Sequence, residues 1–272
     1  MTLPNFIILG AAKAGTTALY HYLNQHPQVF MSPLKETNFF ALMGEPLNFS
    51  GPGDNDFINR FSLTTLEQYQ GQFVHSGDAI AVGEASPLYL YSPKAPPRIK
   101  QYVPDAKLII MLRHPIERAY SAFLHLVRDG RETTTDFGEA LQLEDERIAA
   151  GWEHIWHYKS MSLYYDQVKR YYDLFDRSQI RFYLYYDFRH ETAQMLGDVF
   201  RFLGVDDTFA PDVSMRHNAT TTMSSQQKPP LKPEVWTQLY DAFYGDILKL
   251  QELTGRDLTR WINLTQRAAD LK

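Results

Sequence analysis

Residues 5 to 23, NFIILGAAKAGTTALYHYL, combine a short apolar run, a turn that contains glycine and a segment with helical spacing. This order predicts a buried strand, a tight turn and the start of a helix, which is the layout of a phosphate-binding loop. The consensus of the nucleotide triphosphatases, G-x-x-x-x-G-K-[ST], is not met, because Thr16 follows Gly15 directly and the lysine stands earlier, at Lys13. The turn therefore predicts an anion site of a different kind.

Strands and helices alternate along the chain. Apolar runs bounded by turn residues predict buried strands at 6–9, 80–82, 108–112 and 180–185. Helical spacing is found at 16–25, 93–102, 115–127, 137–149, 163–175, 192–203 and about 233–253. The alternation predicts an α/β fold, a P-loop-like three-layer α/β/α arrangement with a central parallel sheet of about four or five strands.

Length and composition limit the class of protein. The 272 residues suit one domain, 1–272, with an excursion at about 43–78 and a long surface loop, expected to be a mobile cover, at about 205–232. The net charge of −5 gives no reason to expect nucleic acid as a partner. The absence of cysteine excludes disulfides and thiolate chemistry. No signal or membrane segment is recognised, so a cytoplasmic protein is expected.

The 10–17 turn supplies several donors for an anion. Gly10 and Gly15 allow backbone N–H groups to turn inward, and the predicted helix presents its positive end. Thr16 and Thr17 add hydroxyls, and Lys13 adds a full charge. The alternative is a plain strand-to-helix turn whose glycines serve packing. The number of donors favours an anion site.

The next strand in the pattern, KLIIMLRHP, closes with Arg113, where a triphosphatase would place a magnesium-binding Asp. Arg113 repels a metal and attracts a second phosphate, so no metal site is predicted; Glu84 is a weak rival ligand. Ser121 follows eight residues after Arg113, inside the next helix, and both can grip one phosphate. Alternatively, Arg113 forms a surface ion pair and Ser121 is an ordinary helix residue. Two anion sites at neighbouring strand ends suit a nucleotide with phosphates at its 5′ and 3′ positions.

Two motifs, AAKAGTTAL and LRHPIERAYSAF, resemble those of the sulfotransferases that use 3′-phosphoadenosine 5′-phosphosulfate (PAPS). The resemblance is closest to the branch that includes the heparan sulfate sulfotransferases and their bacterial relatives. It extends over nearly the whole chain, through SPLKETNFF, GEASPLYL, SLYYDQVKRYYDLFDRSQIRFYLYYDF and LYDAFYGDILKLQELTGRDLTRW. It implies transfer of a sulfuryl group from PAPS to a hydroxyl or amine of a carbohydrate or small-molecule acceptor, without a metal, and with 3′,5′-adenosine bisphosphate (PAP) as product.

The resemblance also implies roles for the two motifs. The residues that would hold the 5′-phosphosulfate are Lys13, Ala14, Gly15, Thr16 and Thr17. Arg113 and Ser121 would hold the 3′-phosphate. Lys13, on the near side of the turn, would reach the oxygen that joins phosphate to sulfuryl group, where negative charge grows as the bond breaks.

The acceptor's proton requires a base. Glu36 in KETNFF falls where the heparan sulfate branch has its catalytic glutamate, and burial is expected to raise its pKa toward the working pH. The alternative is a surface glutamate that pairs with Lys35. His125 aligns with a histidine implicated in some N-sulfotransferases, or is a partly buried helix residue.

Some family residues are replaced or missing. Asn38 and Ala41 stand where the 3-O-sulfotransferases carry His and Asp, and Ala85 replaces a lysine. Those residues touch the sugar acceptor in the family, so a heparan-like substrate is put in doubt. The family's C-terminal cover element is also absent.

Arg216 and Lys228 are the candidates for an analogous cover over the nucleotide, with a solvated loop cation as the alternative for each. His217 is a reserve candidate for the base. Two rival functions remain at this point: a P-loop kinase or nucleotidase, and a non-catalytic nucleotide-binding relative. The sequence does not reveal the acceptor or the oligomeric state.

Overall fold

The computed structural model describes residues 3–214 and 228–263 of the chain. Within these residues, a parallel five-stranded sheet has the order β2-β3-β1-β4-β5. The strands are β1 (Phe6–Gly10), β2 (Val29–Met31), β3 (Ala81–Ala85), β4 (Lys107–Leu112) and β5 (Ile180–Leu184). The predicted α/β fold with a parallel sheet is confirmed.

The helices lie between and after the strands. The α-helices are α1 (Thr16–Leu23), α2 (Phe39–Leu42), α3 (Ile58–Phe61), α4 (Leu66–Gly71), α5 (Leu88–Tyr91), α6 (Ala95–Tyr102), α7 (Pro115–Arg128), α8 (Phe137–Gln142), α9 (Glu144–Ala149), α10 (Tyr165–Leu174), α11 (Tyr185–His190), α12 (Thr192–Leu203), α13 (Pro233–Thr254) and α14 (Thr259–Ile262). Short 3₁₀ helices cover Asp54–Asp56, His154–Trp156, Ser160–Ser162 and Arg177–Gln179.

The core is centred on the sheet. Every residue of β1 and β3 is buried, so both faces of these strands are covered, as parallel sheets require. The apolar runs in the sequence reflect this two-sided burial. In the part of the chain that the structure describes, none of the helices has the length and apolar character needed to cross a membrane.

Two of the differences from the predicted elements are strand β2 and a break in one predicted helix. The strand β2 was not predicted, because three residues are too few to form a pattern. The helix predicted over 137–149 is interrupted at Leu143, between α8 and α9. Glu144 follows the interruption, and its buried carboxylate accepts hydrogen bonds from the N–H groups of Lys159 at 2.6 Å and Ser160 at 2.9 Å. This distant contact holds the first residue of the second segment.

The strand order positions the site. The connection after β1 leads to strands β2 and β3 on one side of the sheet, and the connection after β4 leads to β5 on the other side. The order therefore reverses between β1 and β4. In open parallel sheets, ligands bind at such a reversal, beyond the carboxyl ends of the strands. The loop that follows β1 and the residues that follow β4 lie at this crevice.

Candidate active site

The loop between β1 and α1 is fixed by close backbone packing. The Ala11 N–H donates a hydrogen bond of 2.6 Å to the carbonyl of Met111 in β4, which ties the loop to the crevice. Gly15 has φ of 90°, and a Cβ there would lie 2.9 Å from the ring of Tyr185. Only glycine fits this position. The loop then enters α1 at Thr16, which is buried.

Three non-glycine residues among those that the structure describes have a left-handed backbone: Lys13 (φ 67°), Glu36 (φ 66°) and Asn38 (φ 53°). Each such residue costs of order 1–3 kcal/mol, and such residues cluster at functional sites. Two of them, Lys13 and Glu36, are candidate catalytic residues predicted from the sequence. The Glu36 N–H donates to the carbonyl of Ala85 at 2.9 Å, which holds Glu36 at the carboxyl end of β3, beside β1.

Asn38 has a structural role in the same turn. It is 7% exposed, its side-chain amide donates to the Ser62 hydroxyl at 3.0 Å, and its backbone N–H donates to the Ser86 hydroxyl at 3.1 Å. These bonds hold the left-handed turn that carries Glu36.

Lys13 lies among other charged groups. Burial, together with the nearby guanidinium groups of Arg128 and Arg113, lowers its pKa to about 8, against the raising effects of Glu36 and Asp129. The lysine is therefore still mainly charged at neutral pH. The two neighbouring guanidinium groups disfavour the charge on Lys13, and a bound anion would stabilise it.

Arg113 joins the two predicted anion motifs. Its Nη1 donates to the carbonyl of Lys13 at 3.4 Å, and its Nε donates to Glu117 at 3.2 Å. The guanidinium also lies 4.9 Å from the centroid of the Tyr185 ring. The structure thus brings Lys13 and Arg113 together across the crevice. Ser121 is buried in α7, which starts two residues after Arg113.

Sequence reasoning missed Arg128, at the end of α7. Its Nε donates to Asp129 at 2.7 Å, and its Nη2 donates to the Nδ1 of His125 at 2.7 Å. Its Nη1 is buried and has no hydrogen-bond partner among the residues that the structure describes. A buried guanidinium nitrogen without a partner beside Lys13 suits an anionic ligand. The only sequence signal was the i, i+3 spacing to His125.

The environment of His125 makes it a poor base. Burial lowers its pKa to about 4, and the charge of Lys13 lowers it as well, so the ring is neutral at pH 7. Because Nδ1 accepts the hydrogen bond from Arg128, the proton of the neutral ring is on Nε2. His125 is thereby a hydrogen-bond donor.

The prediction that burial raises the pKa of Glu36 is wrong. Removal from water does raise it, but the charge of Lys35, its hydrogen bond to the carboxylate, and the charge of Lys13 outweigh this effect and hold the pKa below its ordinary value. The Glu36 side chain is 51% exposed and forms an ion pair with its neighbour Lys35. It is an ionised carboxylate at the mouth of a pocket of about 410 Å³, which His125 also lines.

Glu84, the weak rival for a metal ligand, is fully buried and serves the core instead. Its carboxylate accepts hydrogen bonds from the hydroxyls of Tyr69 at 2.6 Å, Thr37 at 2.7 Å, and Ser86 and Tyr89 at 2.8 Å each. Burial raises its pKa. With both oxygens engaged by hydroxyl donors, the carboxylate is a hydrogen-bonded part of the core.

The predicted cover residues are only partly placed. Arg216 and His217 lie outside the described residues. Lys228 is exposed, and the next residue, Pro229, accepts a hydrogen bond from the hydroxyl of Tyr120. Tyr120 precedes Ser121 in α7, so the chain at Lys228 runs beside the helix that carries Ser121.

The fold and the site agree with one class of protein. The profile of the sulfotransferase family matches residues 4–210, and the chain belongs to this family. A sulfotransferase of Alicyclobacillus acidocaldarius has a similar structure, with a TM-score of 0.88 and 40% identity over 97% of this chain and 100% of that chain. A mouse sulfotransferase, SULT7A1, solved in complex with PAP, matches at 13% identity with a TM-score of 0.53 over 90% of this chain and 84% of that chain, and so supports the fold alone.

Curated relatives are longer than the matched region. The chain is 32% identical to mouse carbohydrate sulfotransferase 15 over 175 residues, 52% of this chain and 31% of the relative. It is 26% identical to the mouse bifunctional heparan sulfate N-deacetylase/N-sulfotransferase 4 over 295 aligned residues, 96% of this chain and 31% of the relative. The matched regions therefore span about a third of these two relatives.

Proposed function

We propose that this protein, as a single domain, transfers the sulfuryl group of PAPS to a hydroxyl or amine of a carbohydrate or small-molecule acceptor. The observation that carries the proposal is the placement of two strained residues of opposite charge, Lys13 and Glu36, at the carboxyl ends of neighbouring strands. Their charges interact strongly enough to shift each other's pKa. A cation for the developing charge and a carboxylate for the proton are the two groups that sulfuryl transfer needs.

The crevice suits the donor on both sides. Residues 13–17 and the buried Nη1 of Arg128 would contact the 5′-phosphosulfate. Arg113 and Ser121 would contact the 3′-phosphate from the β4 side. The donor supplies an activated sulfuryl group whose leaving oxygen belongs to the 5′-phosphate. The names of the curated relatives, which are sulfotransferases, support sulfuryl transfer as the reaction.

Each residue has one task in the transfer. As the acceptor oxygen or nitrogen bonds to sulfur, the bond from sulfur to the phosphate oxygen breaks, and the acceptor's proton passes to Glu36. Lys13 and Arg128 stabilise the charge that appears on the phosphate. His125 can donate a hydrogen bond from its Nε2–H group. Lys35 keeps Glu36 ionised; its movement away from Glu36 would raise the pKa of this carboxylate and strengthen it as a base.

The test is replacement of Glu36 by glutamine, which keeps size and polarity but cannot accept the proton. We expect kcat to fall about 10²- to 10⁴-fold, the usual contribution of a positioned base. The affinity for PAP should stay the same. Transfer of radiolabelled sulfate from PAPS measures the first quantity, and thermal shift with PAP the second.

The control for this test is Glu67→Gln, at an exposed glutamate of α4. It should change neither quantity. A protein that is stabilised by ATP with magnesium and not by PAP, or in which E36Q transfers at the normal rate, would contradict the proposal.

A pH dependence follows from the pKa of about 8 for Lys13. The lysine is charged below this pH and loses its proton above it, so kcat/KM for PAPS should decline as the pH rises through about 8. This parameter reports the free enzyme. In Lys13→Arg the guanidinium stays charged, so the alkaline decline should move upward by more than one pH unit. A flat profile in the unmodified protein up to pH 10 would exclude Lys13 as the group responsible.

A further inference from the structure

The pocket beside Glu36 has an apolar wall. Its volume of about 410 Å³ is that of a small-molecule site. The apolar side chains that line it include Phe57, Ile58, Phe61, Leu88, Ile155 and Met161. Phe57 and Phe61 are 47% and 48% exposed, although large apolar side chains are normally covered. An apolar wall with exposed rings beside a candidate base indicates that an acceptor's body packs there.

The cation in this pocket is already neutralised. Arg131 is 7% exposed and donates from Nη2 to Asp54 and to Glu153, each at 2.5 Å. Its Nε donates to the carbonyl of Pro52 at 2.6 Å. Its guanidinium lies 4.9 Å from the centroid of the Phe57 ring. With Asp54 and Glu153 both bound to the guanidinium, its charge is matched within the pocket wall.

The other polar groups of the pocket add no net cation. Lys35 is paired with Glu36. His125 and His154 are both neutral at pH 7, since burial lowers their pKa values to about 4 and about 3. A sulfated or uronic-acid sugar chain binds through Arg and Lys side chains that are free to meet its anionic groups. Among the described residues that line this pocket, every Lys and Arg has a carboxylate partner.

We propose that the acceptor is an uncharged alcohol or phenol with an apolar body, held by the Phe57–Phe61 wall with its hydroxyl toward Glu36. This inference rests on the proposed function and narrows its acceptor. It departs from the anionic sugars that the names of some relatives indicate. Burial of apolar surface in the pocket supplies the binding, and the ionised Glu36 selects a neutral acceptor over an anionic one.

The test is a comparison of acceptors with radiolabelled PAPS. The probes are 2-naphthol, decan-1-ol, the neutral sugar maltose and a desulfated heparan oligosaccharide. We expect kcat/KM at least about tenfold higher for 2-naphthol or decan-1-ol than for either sugar. A thermal shift with 2-naphthol in the presence of PAP measures binding separately from turnover and should be positive.

Two variants test whether the acceptor binds at the Phe57–Phe61 wall. Phe61→Asp should lower kcat/KM for 2-naphthol about tenfold and abolish its thermal shift, while PAP affinity stays the same. The control is Tyr244→Asp, at a ring of α13 with 42% exposure. It should have no effect on either.

The outcomes of these tests distinguish failure of the acceptor inference from failure of the proposed function. PAP binding together with preferential labelling of the heparan oligosaccharide overturns the acceptor inference and leaves the proposed function standing. PAP binding with neither labelling nor a thermal shift from the apolar probes overturns the inference as well. A chain that does not bind PAP refutes both.

Discussion

Replacement of Lys13 by alanine is expected to reduce the rate of sulfuryl transfer by about 10²- to 10³-fold, the loss seen when one preorganised donor to a developing negative charge is removed. Lys13 is held at φ 67° beside two guanidinium groups, so its charge is placed before the donor arrives. Single-turnover transfer of labelled sulfate from PAPS measures the chemical step. We expect the melting temperature to be unchanged or higher, since the folded protein holds this charge at a lowered pKa.

Two further variants separate charge from backbone strain. Lys13→Gly removes the same charge and also relieves the left-handed backbone, so it should lose as much rate as Lys13→Ala while melting higher. Lys94→Ala removes a lysine that is 54% exposed and paired with Glu45, and should keep the full rate. If Lys13→Ala transfers at more than about a third of the normal rate, the lysine has no part in the chemistry.

The fold could be predicted because a parallel sheet is buried on both faces. The runs FIILG and KLIIML therefore stand out in the sequence, and the helices between them fix the fold class. The position of Arg113 beside Lys13 follows from the same topology, since both residues follow strands that are neighbours in the sheet. Strand β2 and the interruption at Leu143 escaped prediction because one is short and the other depends on a contact between distant residues.

Parts of the site could not be predicted from the sequence because they depend on the positions that side chains take in the folded protein. Lys35 and Glu36 are adjacent in the chain, and only the left-handed turn at Glu36 brings the ammonium onto the carboxylate. That contact reverses the expected pKa shift. The approach of Arg128 to Lys13 depends on the orientation of α7 in space, which periodicity does not give.

The cluster of Asp54, Arg131 and Glu153 was even less predictable from the sequence, since its members are separated by 77 and 22 residues along the chain. Replacement of Asp54 by asparagine is expected to destabilise the fold by about 3–5 kcal/mol, the effect of breaking a buried ion pair. Asp54 is fully buried and accepts from the Arg131 guanidinium, from the Gly51 N–H at 2.8 Å and from the Glu153 N–H at 2.9 Å. An asparagine would turn an N–H₂ group toward one of these donors. Urea unfolding measures the loss.

Asp56→Asn is the matched control, because Asp56 is exposed in the same 3₁₀ helix, and it should change stability by less than about 0.5 kcal/mol. Glu153→Gln should cost less than Asp54→Asn, since burial raises the pKa of Glu153 to about 7 and this carboxyl is already partly protonated at neutral pH. The folded pKa lies above the unfolded value of 4.5, so the folded state binds more protons and stability falls as the pH rises from about 4.5 to 7. Glu153→Gln removes that slope. Equal losses for the two variants would show that Asp54 does not carry the charge that holds Arg131 in the pocket wall. A slope that persists in Glu153→Gln would show that Glu153 is not the group that causes it.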